Sequence, residues 1–161
     1  MNQAQLQKQQ YIVDHGDAAM AYCFAHDVPD ADIQALEQVV IAEKNATIAC
    51  DFAEDINGAN IKALEQVVVQ YGDSSEILYF AKRVPSADTR ALEQALIRQS
   101  DEGSPSISLP IDTYCFARDV KGSNIEALFK IVEASENKSL ISQWNHTFKS
   151  GEQELSSGMG C

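Results

Sequence analysis

Carboxylates recur at fixed positions along this chain, and they are its best candidates for chemistry. Glu37, Glu65 and Glu93 hold one position, each followed by a Gln, and Asp27, Asp55 and Asp119 hold another that is broken by Arg83. Paired carboxylates can do general acid–base work when a fold brings them together. They can also form rows of surface charge that attract a basic partner. Other site chemistry is sparse. His15, His26 and His146 do not recur, and there is no Gly-rich phosphate loop or Gly-x-Ser-x-Gly elbow. Cys23-x-x-His26 has ligand-like spacing, but no second pair completes a tetrahedral set, so neither a metal nor a cofactor is expected.

The carboxylates ride on a repeat. Phe24, Phe52, Phe80 and Phe116 each begin a Phe-Ala pair, and Ala35, Ala63, Ala91 and Ala127 each begin an Ala-Leu pair. Both ladders step by 28, 28 and then 36 residues, which marks a tandem array. In each unit an apolar stripe (Ala21, Tyr22, Phe24, Ala25 and Val28 in the first) predicts a short helix. Pro or Gly then breaks it, and Asp32, Asn60, Asp88 or Asn124 stands at the N-cap of a second helix. That second helix carries Ile33, Leu36 and Val40, and their counterparts in later units, at i, i+3, i+7. Helices this short are marginal alone and become stable by stacking.

The expected fold is therefore all-α, a right-handed α-solenoid of stacked two-helix repeats with N- and C-terminal capping helices. One domain spans 1–149, with units near 17–44, 45–72, 73–108 and 109–136 and capping helices at 2–14 and 138–149. Trp144 takes the Phe position in the last helix, as a plug for the core. Asp101-Glu-Gly-Ser-Pro-Ser-Ile-Ser108 supplies the eight extra residues of the third step, either as a binding loop or as a tolerated excursion. Residues 150–161, with three glycines and no periodicity, are expected to be a flexible tail.

Neighbouring units would set identical residues roughly 10 Å apart. The Glu-Gln and Asp rows are then either solvated helix faces or acidic ribbons that a basic protein groove could read. The candidate binding residues are Asp27, Glu37, Asp55, Glu65, Glu93, Asp101, Glu102 and Phe129. Phe129 stands where the earlier units have Glu, and it is either an exposed apolar anchor or core beneath the inserted loop. A net charge of −12 argues against direct binding to nucleic acid or anionic membrane and permits a basic protein partner. No apolar run approaches a membrane span, and no secretory signal is evident near the N-terminus. A cytoplasmic location is expected, and a homodimer is left open.

The pattern Phe-Ala-x-Asp-Val-x-Gly-Ala-Asp/Asn-Ile-x-Ala-Leu-Glu-Gln, over about residues 11–149, resembles the short helical-hairpin repeats of bacterial and phage proteins. The resemblance implies an α-solenoid used for binding, with no catalytic residues to carry over. A small acidic protein of this type is also similar in kind to counter-defence inhibitors, including blockers of restriction or CRISPR complexes. The expected function is a non-catalytic protein-binding module, in its sharpest form an acidic inhibitor of a basic or nucleic-acid-binding partner. The alternatives are an enzyme with carboxylates in the solenoid groove and a purely structural adaptor.

Overall fold

The computed structural model describes residues 1–103 and 106–149; the tail expected at 150–161, and Ser104 and Pro105 of the inserted segment, lie outside the described residues. Those residues form ten α-helices and no strand. Their spans are α1 Gln3–His15, α2 Ala18–Asp27, α3 Ile33–Glu43, α4 Ala46–Asp55, α5 Ile61–Tyr71, α6 Ser74–Arg83, α7 Thr89–Asp101, α8 Leu109–Asp119, α9 Ile125–Ala134 and α10 Lys138–Phe148. None of the described helices is long and apolar enough to cross a membrane.

Local chemistry sets the helix starts. The side chains of Asp17, Asp32, Asn45, Asn60, Asn124 and Asn137 each accept the backbone N–H three residues on, which satisfies one of the donors a helix N-terminus leaves open. Asp73 goes further and forms a capping box with Glu76. At the end of α5, Gly72 is required by close approach, since a Cβ there would stand 2.6 Å from the Val68 carbonyl oxygen.

The helices gather into two compact units, one of Met1–Asp88 and one from Thr89 onward. In the first, α2, α4 and α6 lie side by side, as do α1, α3 and α5; the hairpins α2–α3 and α4–α5 join the two sets. In the second, α8 lies beside α10 and α7 beside α9, with α8 and α9 as the hairpin. Phe24, Phe52, Phe80 and Phe116 are all buried, and so are Leu36, Leu64, Leu92 and Leu128. Trp144 is buried where the repeat has its Phe.

Candidate functional site: an acidic helical face

The second helices carry the Glu row, and it faces inward. Glu37, Glu65 and Glu93 are only 3%, 4% and 5% exposed, while the Gln after each is exposed. Each carboxylate accepts the backbone N–H of the next hairpin's N-cap residue. The distances are Asn60 N to Glu37 Oε1 2.5 Å, Asp88 N to Glu65 Oε2 2.6 Å, and Asn124 N to Glu93 Oε2 2.6 Å. The carboxylate thus sits at the N-terminus of the following second helix, where backbone N–H groups and the helix dipole favour negative charge. Burial pushes the Glu65 carboxyl above its ordinary pKa, against the pull of the Asp88 N–H; Asp88 raises it and Lys62 lowers it by smaller amounts.

This corrects the expectation of an acidic ribbon built on Glu37, Glu65 and Glu93. They are internal straps between hairpins, and a partner cannot reach them. The helical wheel held the signal, because Glu37 lies four residues after Ile33 and three before Val40, on the apolar stripe itself. One strap escaped the sequence reading. Gln9 Oε1 accepts the Asp32 N–H at 2.9 Å, one 28-residue period before Glu37. A neutral amide therefore does the same work in α1, so an acceptor at this position suffices.

The acidic row on the first helices does reach solvent in the first unit. Asp27 is 74% exposed at its side chain and pairs with His26 at 3.0 Å. Asp55, also exposed, accepts the Tyr22 hydroxyl at 2.7 Å. On the same helix Glu54 accepts the Tyr79 hydroxyl at 2.6 Å and meets Arg83 at 3.5 Å. Each bond to a carboxylate, helped by burial, pushes its phenol up to about 12. Asp51, half-buried beside them, is pushed above the usual carboxylate range by burial first and then by Asp55 and Glu54. Of the predicted residues, Asp27 and Asp55 thus stand on the exposed side of the first unit, joined by Asp51 and Glu54, which the sequence reading did not single out.

The remaining candidates lie in the second unit. Asp101 and Glu102 are exposed at the end of α7, with Glu102 4.0 Å from Arg98. Phe129 is no free anchor. Its half-buried ring packs 5.5 Å from Trp144, and the Lys149 ammonium sits 4.7 Å above it. The aromatic group continues through Phe148, 4.7 Å from Trp144, and Tyr114, 6.1 Å from Trp144. Phe129 replaces the strap Glu with an apolar contact. Among the described residues of the inserted segment, Ile107 is 92% exposed.

No family model matches this chain, and neither a curated protein nor a solved structure does. Among the described residues no three His, Cys, Asp or Glu side chains converge as a metal-ligand set. Charge is uneven along the chain: residues 1–88 hold 14 Asp and Glu against 5 Lys and Arg, and residues 89–161 hold 10 against 7.

Proposed function

We propose that the chain is a right-handed α-solenoid of two-helix repeats, capped by α1 and α10, that works as a non-catalytic protein-binding module. Its docking face is the exposed side of α2 and α4, and its partner carries a basic surface. The observation that carries this reading is the set of exposed acids Asp27, Glu54 and Asp55 with the half-buried Asp51, of which Asp27 meets His26 and Glu54 meets Arg83. Such a face raises the encounter rate with a positive patch and rejects polyanions. The strap at Gln9, Glu37 and Glu65 in the first unit, and at Glu93 in the second, supports the repeat reading, because one contact recurs at the spacing of the sequence ladder. A partner whose basic surface binds nucleic acid would be blocked by this face. That is the inhibitor form of the reading, of the counter-defence type that the repeat pattern resembles.

The test is charge reversal. Asp27→Lys with Asp55→Lys should abolish capture of the partner from host lysate at physiological salt while leaving the circular-dichroism spectrum helical. Equal capture by the reversed chain would contradict the reading.

A further inference from the structure

The grooves between successive first helices of the first unit differ in the side chains that bridge them, most plainly at one repeat position. Tyr22 and Cys50 hold the same repeat position, 28 residues apart. Tyr22 reaches from α2 across to α4 and ends on Asp55 at 2.7 Å. Cys50 is too short to make the same reach from α4 to α6, and its thiol stops 3.7 Å from the Glu76 carbonyl oxygen. The step between α4 and α6 is left with a cleft of about 210 Å³, lined by Thr47, Cys50, Asp51, Ser75, Glu76 and Tyr79. The lining combines the buried Cys50 sulfur and the Tyr79 ring, with the Arg83 guanidinium 5.7 Å from that ring, and the carboxylates of Asp51 and Glu76.

Those carboxylates differ in their partners. Glu76 accepts the Thr47 hydroxyl and the Asp73 N–H. Asp51 meets no cation among the described residues, since Arg83, the nearby base, pairs with Glu54. A half-buried carboxylate beside two others is relieved by a positive charge from outside. A long apolar stem with a cationic head matches a cleft that offers both apolar surface and two carboxylates. The corresponding place between α8 and α10 in the second unit has the opposite character. Tyr114 occupies the Cys50 position and turns its hydroxyl to Thr147 at 2.9 Å, and the lining holds Arg118 and no carboxylate.

We propose that the cleft between α4 and α6 takes one lysine or arginine side chain of the protein partner, its stem along Cys50 and the Tyr79 ring and its head between Asp51 and Glu76. This rests on the reading of a basic partner and adds the anchor point. The occupant is a protein side chain, because the cleft has room for one stem and the surrounding acids repel a phosphate backbone.

The test uses the full chain and a fluorescein-labelled deca-lysine peptide, followed by anisotropy. Wild type should bind it, and Asp51→Asn with Glu76→Gln should weaken binding at least roughly tenfold, about 1.4 kcal/mol. Cys50→Tyr changes no charge and refills the groove as Tyr22 does, so it should weaken binding to a similar degree. Glu126→Gln with Glu133→Gln removes two exposed charges from α9 and should leave affinity within about twofold. Circular dichroism checks each fold; should Cys50→Tyr unfold, the two charge-matched pairs still decide. Wild-type binding no tighter than that of the Asp51/Glu76 variant overturns the proposal, as does equal loss in the two charge-matched pairs or undiminished binding by a folded Cys50→Tyr. If any of these occurs while Asp27→Lys with Asp55→Lys still abolishes partner capture, the acidic docking face stands and only the anchor falls.

Discussion

The two compact units use the same helical hairpin to different ends. The first has an excess of nine acids over bases and presents Asp27, Asp51, Glu54 and Asp55 outward, while the second has an excess of three and invests in an aromatic group around Trp144. What they share is internal: a buried Phe, a buried Leu and a Glu strapped to the next N-cap amide. The lesson is that recurrence and function separate in this repeat. The positions that recur in every unit are the packing positions, the buried Phe and Leu, and the surface that differs between units is where recognition would lie.

Truncating the core should hurt both units alike. Phe52→Ala in the first and Trp144→Ala in the second should each cost about 3–5 kcal/mol, seen as a lowered midpoint in urea. A markedly smaller loss for Trp144→Ala would mean that the aromatic group is peripheral to its unit. Next come the straps. Glu37→Ala and Glu93→Ala leave a part-buried N–H without its acceptor and should each cost about 1–2 kcal/mol, whereas exchange to Gln should cost well under about 1 kcal/mol, as Gln9 already shows an amide doing the job. Equal losses for the Ala and Gln variants would mean that charge, and not the acceptor alone, holds the strap.

The Glu65 strap adds a pH dependence whose sign follows from its raised pKa. A carboxyl that holds its proton more tightly when folded contributes stability fully present below its ordinary value of 4.5 and lost as pH rises through the folded value. Glu65→Gln removes that loss. The stability of the variant relative to wild type should be flat below about pH 4.5 and should rise with pH above it, by at most about 1.4 kcal/mol per pH unit, in urea titrations. A difference that falls with pH would show the opposite shift. The smallest effect is at the surface: Tyr22→Phe, which removes the hydroxyl from Asp55, should change stability by about 0.5–1 kcal/mol, measured by the same midpoint.

Much of the fold was legible because local and global signals agreed. The apolar stripes, the Pro and Gly breaks and the Asp or Asn caps at 32, 60 and 124 each located a helix boundary. The binding residues were harder. Glu is a solvent-loving type, and reading Glu37, Glu65 and Glu93 by type alone put them outside, although their place on the apolar stripe put them inside. Their partner is a backbone amide, which carries no mark in the sequence beyond the recurring 23-residue offset from Gln9 to Asp32, Glu37 to Asn60 and Glu65 to Asp88. Phe129 was left open between anchor and core, because only the approach of Trp144 and Lys149 decides it. The cleft beside Cys50 depends on a missing ring, and it shows only when Tyr22 and Cys50 are compared in place.

The division between strap acids and surface acids is tested most directly by amide hydrogen exchange, followed residue by residue by NMR. The N–H groups of Asn60, Asp88 and Asn124 lie in turns, yet the straps predict that they exchange slowly, near the rate of the buried helical amides around them. Exchange at the fast rate of open turn amides would place Glu37, Glu65 and Glu93 in solvent and contradict the account.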